Sequence, residues 1–199
     1  MPDPRSAAPS RAADRTSSTR ASSTRASDSR ASSTRASDSR GSSTRFTVPV
    51  DEALRSAGWQ PGRWNIKQAE IWADALRGHA SPAGHRHHVF PAAVEAWAEF
   101  GGLHLTPTGP GRHVAPAQPH LDPLHGLHMA RTLGDLGRAL DTKVSPLGAE
   151  SGTEALLAID AEGRVYALDH SGDWYLGADM DHALETLVTG LHPQRLQAT

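Results

Sequence analysis

Residues 1–45 contain no Val, Ile, Leu, Phe, Tyr or Trp. That absence confines any hydrophobic core to residues 46–199. The N-terminal segment is built from Ser, Arg, Ala, Thr and Asp, with Pro near its start. It offers too little apolar surface to offset the entropy of ordering, so it is expected to be disordered. Arg recurs every fifth residue, at Arg15, Arg20, Arg25, Arg30, Arg35, Arg40 and Arg45. A period of five matches neither helix nor strand, so no amphipathic face forms. The first aromatic is Phe46, so base stacking is not available to this arm. A flexible extension is the plainer reading. A basic arm for nucleic acid and a phosphorylatable linker are the functional alternatives. The other 154 residues, 46–199, suit one domain with a substantial core.

The two parts differ in charge. Residues 1–45 carry 9 Arg against 4 Asp, whereas residues 46–199 carry 11 Arg and Lys against 18 Asp and Glu, a net −7. An acidic domain favours basic partners and argues against nucleic acid binding except through the arm. The chain has no Cys, which excludes disulfides, thiol catalysis and Cys-ligated zinc. No window approaches the ~20 apolar residues of a membrane span. The N-terminus has no apolar stretch of the kind a secretory signal needs. The expectation is a cytoplasmic protein without a membrane partner; its oligomeric state is left open.

Folding signals begin at Phe46. Val50, Leu54 and Ala57 predict a short helix stopped by Gly58. Asn65 with Gln68 resembles a capping box and opens a second helix with Ala69, Trp72, Ala73 and Leu76, ending at Gly78. Pro91 suits the first turn of a third helix carrying Val94, Trp97 and Phe100, which Gly101-Gly102 ends. A strand is expected over residues 103–106. Five prolines between 106 and 123 leave loop plus at most an edge strand. Met129, Leu133, Leu136 and Leu140 predict a middle helix, and residues 144–147 a strand. Residues 155–168 read as a hairpin turning at Asp160-Ala161-Glu162-Gly163. A second turn at His170-Ser171-Gly172-Asp173 leads to Trp174-Tyr175-Leu176. A last helix begins near Asp179, with Met180, Ala183, Leu184, Leu187 and Leu191 as its stripe and Gly190 as its stop. The fold class is α+β: an antiparallel β-meander flanked by N-terminal, middle and C-terminal helices.

Candidate chemistry is sparse. All 12 histidines lie in the domain, densest at His85-Arg86-His87-His88 with His79 nearby. On an extended segment His85 and His87 would point the same way and supply two metal ligands, with His88 opposite. A catalytic zinc needs three and an open position. Asp122, His125 and His128 could bind metal or do acid–base work. A helix start, with Asp122 bonding backbone amides and Pro123 in the first turn, accounts for the same letters. Neither a nucleophile elbow nor a phosphate-binding glycine loop is present. No catalytic residue and no cofactor is expected. The alternative is a His-rich metal-binding protein or a metal-dependent enzyme using His85 and His87. Asp160, Glu162, Asp169, Asp173, Asp179 and Asp181 are close in sequence and could meet a basic partner. Solvated turns and a helix cap explain any one of them singly. One or two of Trp59, Trp64, Trp72, Trp97 and Trp174 could anchor a partner.

Six short motifs occur in order: Gly58-Trp59-x-Pro61-Gly62-Arg63, Phe100-Gly101-Gly102-Leu103, Leu121-Asp122-Pro123, Pro146-Leu147-Gly148, Gly163-Arg164-Val165-Tyr166 and Leu176-Gly177. The series resembles the SUKH superfamily, specifically its third immunity branch, over about residues 48–192. The resemblance implies a small α+β domain related to a yeast cell-wall regulator. It implies an immunity protein of a bacterial polymorphic toxin system, one that binds and blocks a toxin delivered by a sibling cell. It implies no catalytic residue. Many delivered toxins are nucleases with basic surfaces, so the expected contact is an acidic face near the 160–181 hairpins. A non-catalytic regulatory scaffold, as in eukaryotic relatives, is the other reading. The arm and the abundance of histidine lie outside the family pattern.

Overall fold

The structure, a computed structural model, describes residues 45–197. The expected disorder of the repeat therefore falls outside the described residues, apart from Arg45. Five α-helices and six strands succeed one another: α1 Val48–Ser56, α2 Ile66–Gly78, α3 Pro91–Phe100, β1 Pro119–His120, α4 Ala130–Ala139, β2 Val144–Glu150, β3 Leu156–Asp160, β4 Val165–Asp169, β5 Gly172–Gly177, α5 Met180–Thr189 and β6 Gln194–Arg195. A 3₁₀ turn, Pro123–Gly126, lies between β1 and α4. The strands form one antiparallel sheet in the order β1-β2-β3-β4-β5-β6. This is the expected α+β meander.

Both faces of the sheet are covered. Leu157, Ile159, Val165, Ala167 and Leu176 pack with the buried faces of α1, α2, α3 and α5. Leu156, Ala158, Tyr166 and Leu168 pack on the opposite face against Leu133 and Leu136 of α4. Successive strand residues point to opposite faces, so residues 156–159 of β3 read as an unbroken apolar run because neither face meets water. Trp97 is fully buried and its indole N–H donates to the Pro146 carbonyl at 3.1 Å, joining α3 to β2.

Local signals account for most element ends. Asn65 accepts from the Gln68 amide at 3.3 Å, Asp122 from the Leu124 amide at 2.9 Å and Asp179 from the His182 amide at 2.9 Å. Gly163, at φ +89°, closes the β3–β4 turn in a backbone region that L side chains rarely adopt. Gly148 comes after a register shift in β2, and a Cβ there would collide with the His120 carbonyl and the backbone of Leu121. A glycine is needed for that close approach.

Three expectations change. The strand over residues 103–106 reduces to a single bridge between His104 and His120. Prolines on either side of the turn leave no room to lengthen the pairing. Leu191 lies beyond α5, because Gly190 takes the left-handed conformation and ends the helix. The short edge strand β6 has no apolar alternation and went unseen: both its residues are exposed.

Arg45, the last arginine of the repeat, belongs to the folded side. Its guanidinium pairs with Glu99 at 2.5 Å and Asp181 at 2.6 Å and lies 4.8 Å from the Phe46 ring centroid. The two carboxylates hold it charged above its ordinary range; the Asp181 hydrogen bond is the largest cause. The side chain is 46 % exposed, so solvent screening caps what the pairs add. Arg45→Ala is expected to lower stability by at most about 1 kcal/mol, and by less in high salt. Denaturant unfolding at low and high salt measures it.

Candidate functional site

The five prolines between 106 and 123 leave that stretch only the two-residue strand β1, and the chain uses the part before it to finish α5. A helix leaves its last carbonyls without intrahelical partners. Here the Arg112 amide donates to the Thr189 carbonyl at 2.8 Å, His113 to Gly190 at 2.8 Å, Val114 to Gly190 at 3.1 Å and Ala117 to Leu187 at 2.8 Å. The loop is thereby held as a wall beside the end of α5. Ala167, Trp174 and Leu176, on the same face of β4 and β5, form the facing wall.

Between them lies a groove of about 610 Å³. Its lining is mainly apolar, with Val114, Pro116, Trp174, Leu187, Leu191 and Pro193 prominent. Two carboxylates, Glu150 and Asp169, stand at its edge. Val114 is 41 % exposed, a large apolar side chain left at the mouth. Trp174 is half-buried, with the Arg195 guanidinium 5.7 Å from its ring centroid.

The six candidate carboxylates do not make one face. Val165 pairs with Gly177 and Asp169 with Gly172, so the two turns of β4 lie at opposite ends of the sheet. Glu162, Asp179 and Asp181 belong to one end, and Asp169 and Asp173 to the other, about 13 Å away at ~3.3 Å per residue. Asp160 is a correction of a different kind. It is fully buried, with no surface for a partner. It accepts from the amides of Glu162 and Arg164, from Arg164 Nε at 2.6 Å and from the Tyr166 hydroxyl at 2.9 Å. Burial, then the bond to Asp160, pushes the Tyr166 phenol well above its ordinary range.

The others are engaged to different degrees. Glu162 pairs with Arg164 at 2.9 Å, and Asp181 with Arg45. Asp179 caps α5 and pairs with His182 at 2.7 Å, which raises the imidazole's pKa. Asp169 accepts from the amides of Ser171 and Gly172 and from the Ser171 hydroxyl. Burial pushes its carboxyl up, but these bonds together prevail and hold it below the usual range. Asp173 is pushed up by burial and by neighbouring Asp169. It joins no ion pair among the described residues.

The histidines also rearrange. His85 is exposed while His87 is buried, so they do not share a side as alternation predicted. The His87 Nε2–H donates to the Leu127 carbonyl at 2.7 Å. His125 and His128 part company: His125 meets His120, and His128 meets His79. Among the described residues no three His, Cys, Asp or Glu side chains are placed to hold a metal ion.

The motif residues sit at turns, at close backbone approaches and in the core. Trp59 is buried edge-on to Phe46, with centroids 5.2 Å apart. Gly58 and Gly102 sit at turns after α1 and α3, Gly101 and Gly177 at close approaches to Trp72 and Ala183, and Asp122-Pro123 at the start of the 3₁₀ turn. Val165 and Tyr166 face opposite sides of the sheet. A family model described as SUKH-3 immunity protein matches residues 46–190. The chain belongs to the SUKH-3 immunity protein family. Comparisons with curated proteins and with solved structures find no match.

In this SUKH-3 chain the groove was not foreseen from sequence. Its walls come from segments far apart, and the proline run was the only local hint. Of the tryptophans left open as anchors, Trp59, Trp72 and Trp97 are buried, Trp174 lines the groove and Trp64 is 54 % exposed. No described helix is long and apolar enough to cross a membrane.

Proposed function

We propose that this SUKH-3 protein acts in the cytoplasm as a non-catalytic inhibitor of a cognate toxin from a polymorphic toxin system. It neutralises the toxin by occlusion, and the contact is centred on the groove beside α5. The observation that carries this reading is the groove itself: about 610 Å³, mainly apolar, with Val114 at its mouth and Trp174 in its wall. Interface energy concentrates where an anchoring side chain fills such a concavity, and aromatic walls suit it. Glu150 and Asp169 at the edge, and the net −7 of residues 46–199, favour a toxin segment with an apolar anchor between basic residues. A nuclease, basic where it grips phosphate, has that character. The carboxylates at the far end of the sheet add to the attractive field without touching the toxin.

Coexpression with a candidate toxin from the neighbouring open reading frames tests the proposal. Val114→Glu combined with Leu191→Glu is expected to abolish rescue of growth and to weaken binding at least 100-fold, about 2.7 kcal/mol. Asp179→Asn with Asp181→Asn is expected to slow association and leave dissociation nearly unchanged. A groove variant that binds and rescues like the parent would remove the groove as the contact.

A further inference from the structure

Six of the 12 histidines gather around one short stretch, residues 119–129. On one flank the His120 ring lies 5.4 Å from His104 and 4.8 Å from His125, centroid to centroid. His125 Nε2 and His120 Nδ1 are 3.0 Å apart, within hydrogen-bond distance. On the other flank the His79 ring lies 5.0 Å from His128 and 6.2 Å from His87. The stretch is tied to residues 102–105 by three backbone bonds: Gly102 to the Leu121 carbonyl at 2.7 Å, Leu121 to Leu103 at 2.8 Å and Leu105 to Pro119 at 2.9 Å. It carries β1, the edge strand paired with the end of β2.

We propose that residues 119–129 form a proton-operated latch, closed while His87 and His120 are neutral and released when they take up protons. The His87 flank is the trigger. Its Nε2–H is spent on the Leu127 carbonyl, and its Nδ1 is buried with no partner. A second proton would place an N–H at Nδ1 with nothing to accept it, a costly burial of charge. The titratable groups acting on it are His79, His88 and His128. All are basic, so none rewards protonation. Burial, and then these neighbours, hold His87 below its ordinary pKa despite the opposing bond to Leu127. The His120 flank is softer. Burial and His125 lower His120, while Asp122 opposes them; Glu150 and Glu154 line the same cavity. A proton on His120 puts an N–H at its Nδ1, which His125 Nε2 can meet only as an acceptor.

The sign comes from linkage. An unfolded or released His87 titrates near the ordinary value of about 6.5 and the latched one lower. The latched state therefore binds fewer protons. Its stability is complete above about 6.5 and falls as pH drops through the lower value. Release reaches the groove, because Gln118 leads into β1 and its carbonyl accepts from the Ser151 amide at 3.0 Å beside Glu150. The latch itself stands whether or not a toxin occupies that groove.

Amide hydrogen exchange of the full chain at pH 7.5 and 5.5, corrected for intrinsic rates, tests it. Protection of Gly102, Leu105 and Leu121 is expected to fall at least tenfold more than that of β3 and β4. His87→Gln keeps a donor for Leu127 without titrating, and should remove most of this difference. His104→Asn with His125→Asn, both at exposed positions, should reduce it. Equal changes in latch and sheet, no change in the latch, or a full response in His87→Gln would overturn the proposal. Should His87→Gln not fold, the imidazole titration of His87 in the parent decides: a midpoint below that of the denatured chain supports the latch, and one at or above it refutes it.

Discussion

Asp160→Ala is expected to destabilise the protein by about 3–5 kcal/mol, the range for breaking a buried charge pair by removing one partner. Asp160 is the last residue of β3 and is fully buried. Its carboxylate takes four donors: the Glu162 amide at 3.0 Å, the Arg164 amide at 2.9 Å, Arg164 Nε at 2.6 Å and the Tyr166 hydroxyl at 2.9 Å. Alanine strands all four, and the Tyr166 hydroxyl cannot reach solvent without moving the ring out of the α4 side of the core. Arg164 is 40 % exposed and can turn to water, which limits the loss on that side. Asp160→Asn keeps one acceptor for the turn amides but sets an amide N–H₂ against Arg164 or Tyr166, so it should fall between parent and alanine. At about 2–4 °C per kcal/mol for a domain of this size, the alanine variant should melt roughly 6–20 °C below the parent. A loss under about 1 kcal/mol in denaturant unfolding would return Asp160 to the set of ordinary surface carboxylates.

Trp97→Ala should cost a similar amount, about 3–5 kcal/mol, for a different reason. Trp97 is fully buried between α3 and β2 and belongs to the larger core cluster. Removing the indole leaves a cavity that the surrounding helices and sheet cannot close, and strips the Pro146 carbonyl of its donor. Trp97→Phe separates the two terms. It refills most of the space and leaves only the carbonyl unsatisfied, so about 1–3 kcal/mol is expected. If phenylalanine and alanine cost the same, the lost hydrogen bond to Pro146 and not the cavity dominates the loss.

Much of the fold was legible because its signals are local. Asn65, Asp122 and Asp179 mark element starts, and Gly163 and Gly190 mark a turn and a stop through backbone geometry that a few neighbours settle. The meander was readable from two tight turns placed between apolar runs. The weaker readings, the strand at 103–106 and the unseen β6, concern pairings of one or two residues, where partner availability outweighs propensity.

The candidate site was another matter. Six acidic letters in one stretch looked equivalent, yet Asp160 is buried under four donors, Glu162 and Asp181 are held by arginines, and Asp173 is left beside Asp169. The sequence by itself determined the α+β meander, its turns and caps, the acidic balance and the family to which the chain belongs. Only the tertiary structure decided which carboxylates meet solvent, that Val114, Glu150, Asp169, Trp174 and Leu191 share a groove, and that histidines from four separate elements crowd one stretch. Caps and turns depend on atoms a few bonds away, whereas exposure and encounter depend on how distant segments pack.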